Sequence, residues 1–309
     1  MYTLDNILVC LDLSDMDDFL IRYCNFVVES FQPKHITFMH VMMSHDVPPE
    51  LLKEMPHLDV NLKDLIKEEL QEKVDQFFGK SEQVAYRIVV TEGNTTETII
   101  QYAQEQDITL TIMGKKIGYT GHGGVVRKVM SLTPSSVLIV SETTQPRLER
   151  ILVRMDFSKI SGMALKMALR IRELIQSDIR ISCQHVYKLP LSYFPQQTAL
   201  NEEKMRRHLT RYGEKEYLKF LKKYNLEKKD IACEHTLDLN NDEAQVLYHY
   251  AMQNGADLIL IGSKVKSELA DIILDSTSEK LAGVEKNIPV MVVKDRKETI
   301  GFLEALFDL

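Results

Sequence analysis

An α/β chain of two doubly wound parallel sheets is predicted by three observations. Short apolar runs alternate with amphipathic helical stretches, an ordered set of landmarks occurs twice, and a brief polar stretch separates the copies. In the first half, strands are expected near 6–12, 35–42, 84–91, 109–114 and 136–141. Helices are expected between them near 16–31, 62–78, 95–105 and 124–132. In the second half, strands are expected near 150–156, 179–187, 230–237, 257–262 and 288–293. Strands that are apolar nearly throughout belong to a parallel sheet covered on both faces. Right-handed crossovers then restrict each half to a doubly wound, five-stranded sheet.

The duplication rests on four landmarks. Ile7–Ser14 (ILVCLDLS) recurs as Ile151–Ser158 (ILVRMDFS), and His40-Val41 recurs as His185-Val186. Thr111–Lys115 recurs as Leu260–Lys264, and Ser136–Val140 recurs as Pro289–Val293. The boundary falls at the polar, Pro-containing Thr143-Thr144-Gln145-Pro146, giving domains of 1–145 and 146–309. The longest helix expected in the second half, from Asn201 to Tyr224, is densely charged, as a solvated face or a partner-docking surface would be.

The chain has 309 residues, 44% hydrophobic and 27% charged, enough for two buried cores. A formal charge of -7 argues against nucleic acid as a partner. Four cysteines with no Cys-x-x-Cys pair read as reduced thiols. A strand pattern begins almost at Met1, and no apolar stretch approaches bilayer length, so the expectation is a cytoplasmic protein without membrane insertion.

Ligands of open α/β sheets bind beyond the carboxyl ends of the strands at the topological switch point. Strand one ends in Asp12, and its repeat in Asp156, each followed two residues on by a serine, Ser14 or Ser158. These are either helix-entry residues or a carboxylate set to accept hydrogen bonds from a ribose or a base. Strand four runs into Gly114 in one half and Gly262 in the other. In the first half the loop 114–124 holds five glycines: Gly114, Gly118, Gly121, Gly123 and Gly124. That composition suits a phosphate cradle before a helix N-terminus, or a ligand-free loop.

On these residues each half resembles a universal stress protein domain. That signature joins a strand-one Asp, an apolar strand-two residue and a late loop Gly-x2-Gly-x9-Gly-Ser/Thr. The resemblance implies that the last strands of the two halves pair across an internal pseudo-twofold, as in the family's homodimer. It also implies an adenine nucleotide, ATP or AMP, with magnesium accompanying ATP. Loop glycines and the Ser/Thr would hold phosphates, while the Asp and the strand-two main chain would hold ribose and adenine. By position these are Asp12, Val41, Gly114, Gly118, Gly123 and Gly124 in domain 1, and Asp156, Val186, Gly262 and Ser276 in domain 2.

The departures from that signature differ between the halves. The first loop is about four residues short, with Ile117 where the second glycine belongs and Gly118 able to slip into its place. The second keeps its length, but Val265 and Asp275 replace two glycines, and Asp275 adds a negative charge where phosphate would sit. Lys264 and Lys266 would offset that charge, as Lys115 and Lys116 would act in the first half. Domain 1 is therefore the expected nucleotide site.

No catalytic residue is expected, because no Ser/His/Asp signature, Walker-A lysine or His-Glu-x-x-His helix is present. No metal site is expected either. Cys183-x-His185 and Cys233-x-His235 have alternating spacing, but they lie in strands expected to be interior and crowded by helices. His122 in the glycine loop is expected to be solvated, and the apolar pattern of 300–307 to dock on a sheet edge or a second chain. The expectation is a non-catalytic stress-response protein binding an adenine nucleotide at one degenerate site, with a homodimer or another protein as partner. The alternatives are a nucleotide-free interaction module and a weak ATPase.

Overall fold

A computed structural model describes residues 4–43, 58–80, 82–116, 124–175, 178–189, 199–227, 230–263, 276–283, 287–296 and 299. Domain 1 runs β1 (Asn6–Leu11), α1 (Asp15–Phe31), β2 (His35–Met42), α2 (Leu58–Phe77), β3 (Ala85–Glu92), α3 (Thr95–Glu105), β4 (Leu110–Lys115), α4 (Gly124–Leu132) and β5 (Ser136–Ser141). Domain 2 repeats the order as β6 (Arg150–Arg154), α5 (Lys159–Ile175), β7 (Arg180–Tyr187), α6 (Ala199–Lys223), β8 (Ala232–Leu237), α7 (Glu243–Gln253), β9 (Leu258–Gly262), α8 (Ser276–Gly283) and β10 (Val290–Val293). The periodicity of the sequence fits these bounds to within a residue or two at most ends.

The two five-stranded units form one ten-stranded sheet, ordered β3-β2-β1-β4-β5-β10-β9-β6-β7-β8. Every pairing within a unit is parallel. The central pairing is antiparallel, with Val290 opposite Ile139 and Val292 opposite Val137. Antiparallel pairing of last strands is the relation that a pseudo-twofold requires. Both strands are buried along their whole length, so the junction is part of the core.

Alternation along the strands sends side chains to two cores. Ile7 and Val9 of β1 belong to the core that also takes in residues of α1, α2, α5 and α6, whereas Leu8 belongs to the core that takes in residues of α3, α4, α7 and α8. Helix ends follow local chemistry. Ser14 caps α1 and Asn94 caps α3 by accepting N–H groups of the first turn, and Gln32 closes α1 in the left-handed region at φ 48°.

The expected linker is held at both ends. Thr144 is 2% exposed and its Oγ1 accepts the Ser141 N–H at 3.1 Å. Asp257 then takes the Arg147 guanidinium at 2.7 Å and the N–H groups of Glu149 and Arg150 at 2.9 and 3.0 Å. Among the described residues no helix is long and apolar enough to cross a membrane.

Candidate functional site

The switch points lie where β1 parts from β4 and where β6 parts from β9. At both, the turn out of the first strand has a non-glycine residue in the left-handed region: Leu13 and Phe157, each at φ 60°. Such a conformation costs about 1 kcal/mol and needs support from its surroundings. In domain 1 the support is Asp17, whose carboxylate accepts the N–H groups of Asp12 at 3.0 Å and Leu13 at 2.8 Å. Burial pushes the Asp17 carboxyl up to about 6, while those backbone donors pull the other way. Asp12 itself points outward, taking the Ser14 hydroxyl, with Lys116 Nζ 3.9 Å away.

Domain 2 builds the same turn differently. Ser161 stands where domain 1 has Asp17, and its N–H donates to Ser158 Oγ at 3.2 Å. Asp156 accepts the Ser158 N–H at 3.0 Å. Burial opposes ionisation of Asp156, but hydrogen bonds from Ser158 and Ser161 and the nearby Arg154 charge hold its carboxyl below the usual range.

The repeated histidines have a shared structural role. His40 Nδ1 meets the Leu11 carbonyl at 3.1 Å, and His185 Nδ1 meets the Met155 carbonyl at 2.9 Å. As N–H donors, they tie the residue before Asp12 to the residue before Val41, and the residue before Asp156 to that before Val186. Val41 is a core residue and Val186 packs against the same core, so a ligand there would meet their main chain.

The glycines divide into two kinds. A Cβ on Gly262 would lie 2.6 Å from the Ile160 carbonyl oxygen, and one on Gly114 would lie 2.5 Å from Met16 Cγ. Both strand-end glycines thus let the first helix of their domain close onto strand four. Among the described residues, Gly124, the first residue of α4, has nothing within 4 Å of such a Cβ. Gly118 and Gly123 lie outside the described residues, as do His122 and 300–307; Ser276 is the first residue of α8.

The sharpest difference lies at the helix N-termini. Arg154 binds Glu243 through two nitrogens, at 2.6 and 3.0 Å, and Thr277 Oγ1 donates to the same carboxylate at 2.9 Å. Glu243 opens α7 and Thr277 is the second residue of α8, so a carboxylate of the chain itself sits where both helix dipoles favour an anion. Domain 1 has Cys10, Thr95 and Val125 at the corresponding places, counted from the shared strand and helix starts. The clamp was hidden in the sequence because Arg154 and Glu243 are 89 residues apart. Its one local trace is an arginine where the repeat has Cys10.

The Cys-x-His pairs do stand in register, Cys183 beside Cys233 and His185 beside His235. The expectation that both strands are interior needs correction. β8 is the sheet edge, because the doubly wound order ends there. The space over the histidines is filled by Phe157, whose ring centroid is 4.5 Å from that of His185, and by Gly213 of α6, where a Cβ would meet His235 Nδ1 at 2.6 Å. Burial pushes the Cys183 thiol up to about 12 and pulls His185 down, although the Met155 carbonyl opposes the second shift. Among the described residues no group of three or more His, Cys, Asp or Glu side chains could hold a metal ion.

The structure is thus a doubled, doubly wound α/β unit with an acidic first-strand end and paired last strands. The chain belongs to the universal stress protein family, whose model matches residues 3–141 and again 147–294. Its fold is similar to a universal stress protein from Archaeoglobus fulgidus DSM 4304, with a TM-score of 0.65 at 17% identity over 94% of this chain and 99% of that one. It is also similar to a protein of unknown function from Pseudomonas aeruginosa PAO1, with a TM-score of 0.59 at 16% identity over 99% and 98% of the two chains. At these identities the likeness concerns the fold alone. No curated protein sequence matches the chain.

Proposed function

We propose that this protein is a non-catalytic stress protein that binds an adenine nucleotide in domain 1 and not in domain 2. The observation that carries the reading is the Arg154–Glu243–Thr277 clamp, which fills the anion-favouring end of domain 2 with a protein carboxylate. A triphosphate there would have to displace a bidentate, charge-assisted pair, or bring its own charge against Glu243. Domain 1 has no such carboxylate at the corresponding positions. It offers an outward Asp12, Lys116 beside it, and a Gly124 that no described residue crowds. Those groups fit a ribose hydroxyl and a phosphate: an acceptor for the sugar, a cation, and backbone N–H groups at the start of α4.

The test is calorimetric titration of ATP into the full chain and two variants. Gly124→Asp adds a negative charge at a position with no steric neighbour among the described residues, where the helix start tolerates an acid. It is expected to weaken binding at least about tenfold, the equivalent of about 1.4 kcal/mol. Ser276→Ala is expected to leave binding unchanged. Binding that survives the first change and fails with the second overturns the assignment to domain 1. An absence of binding at millimolar ATP in the unmodified protein leaves the interaction-module reading in its place.

A further inference from the structure

Cys183 of β7 and Cys233 of β8 are register partners on neighbouring parallel strands, and both side chains leave the face that carries the core with residues of α6. Cys183 is buried, and Tyr217 of α6 lies against its thiol while donating to the Ile231 carbonyl at 3.0 Å. Cys233 is half-buried on the edge strand, which pairs on one side alone among the described strands. Domain 1 has Phe38 opposite Ile88 at the corresponding places, an ordinary apolar pair. The other two cysteines have no cysteine opposite them: Cys10 stands between Met39 and Met113, and Cys24 lies on α1.

We propose that Cys183 and Cys233 are a redox site that closes to a reversible disulfide when the protein meets a hydroperoxide. Neighbouring strands lie about 4.8 Å apart, inside the ~4.4–6.8 Å Cα separation that disulfides span. Side chains leaving one face of parallel strands start about as far apart at Cβ, wider than the usual ~3.8 Å of a relaxed disulfide. β8 can close that gap, because no described strand holds its outer side. The bond so formed is strained, and a strained disulfide is readily reduced, so the site is reversible.

The order of events follows from burial. Burial keeps the Cys183 thiol protonated, so the half-buried Cys233 is the sulfur that meets the oxidant. With hydrogen peroxide, the Cys233 thiolate attacks one oxygen. An S–O bond forms, the O–O bond breaks, and the departing hydroxide takes up the proton that the thiol gave, leaving a sulfenic acid and water. The Cys183 sulfur then attacks the Cys233 sulfur. The S–S bond forms, the S–O bond breaks, and the hydroxide leaves with the Cys183 proton as a second water. Two electrons pass from the thiols to the peroxide. The link encloses α6 and fixes the edge strand ahead of Asp238, which accepts the N–H groups of Asn240 and Asp242 at 3.1 and 3.0 Å before α7 begins. The inference concerns domain 2 and stands apart from the nucleotide assignment.

Mass spectrometry of the full chain after graded hydrogen peroxide tests it, with remaining thiols alkylated in denaturant and digestion carried out without reductant. The expected result is a single chain lighter by two hydrogens, a linked peptide pair carrying Cys183 and Cys233, and Cys10 and Cys24 still alkylated. A dithiol reductant is expected to restore both thiols. In Cys183→Ser the reaction is expected to stop at a Cys233 sulfenic acid, trapped by a cyclic 1,3-diketone. In Cys233→Ser the oxidation of Cys183 is expected to slow at least about tenfold. Survival of both thiols, a bond to Cys10 or Cys24, a bond between two chains, or oxidation without a link at every dose overturns the inference. If a serine variant does not fold, the linked peptide pair in the unmodified chain decides.

Discussion

The two clefts of this protein share a backbone and differ in what fills it. Both leave the first strand through a left-handed residue, and both are tied by a histidine to the neighbouring strand. Domain 1 stabilises its turn from beneath with Asp17, which leaves Asp12 facing outward. Domain 2 has no such carboxylate and satisfies its helix starts from within, through Glu243. A duplicated fold can thus keep its frame while one copy places its own carboxylate at the starts of two helices.

The comparison can be strained most by substituting the strand-end glycines. Gly262→Ala is expected to cost about 3 kcal/mol or more in urea unfolding, because the new Cβ meets the backbone carbonyl of Ile160 at 2.6 Å and neither group can yield easily. Glu243→Ala comes next, at about 2–3 kcal/mol, since it removes the bidentate carboxylate from the mostly buried Arg154. Asp17→Ala is expected to cost about 2 kcal/mol by orphaning two N–H groups of the turn. Gly114→Ala should cost about 1–2 kcal/mol, because its obstacle is the flexible Met16 side chain. Gly124→Ala should change stability by less than about 0.5 kcal/mol. Were Gly124→Ala as damaging as Gly262→Ala, the division into packing glycines and an open glycine would fail.

Asp17 adds a pH signature that domain 2 lacks. Its carboxyl is raised to about 6 from 3.8, so the folded state binds more protons than the unfolded state between those values. Its contribution to stability therefore falls as pH rises through that window. Asp17→Ser, which copies domain 2, is expected to remove that slope from the unfolding profile. A slope of equal size in the variant would assign it to another group.

Much of the frame was legible in the chain. Alternating apolar runs and the recurrence of Ile7–Ser14 at Ile151–Ser158 placed the strands, and the pairing of β5 with β10 followed from the family resemblance. Asp12 and Asp156 were visible because they interrupt apolar strands at the same step of the repeat. The clamp was not legible, because its members come from three elements and meet only after the sheet has wound. Nor could the sequence separate the uncrowded Gly124 from Gly262, which packs against Ile160, since both leave the same letter. Asp17 reads as one of three acids in the first turn of α1, and only burial distinguishes it from Asp15 and Asp18.

The asymmetry of the clefts is tested most directly by the stoichiometry of ATP on the unmodified chain, measured by native mass spectrometry across a nucleotide titration. One nucleotide per chain, lost in Asp12→Ala and retained in Asp156→Ala, is the predicted result. Two nucleotides per chain, or one that is lost with Asp156→Ala and kept with Asp12→Ala, would contradict it.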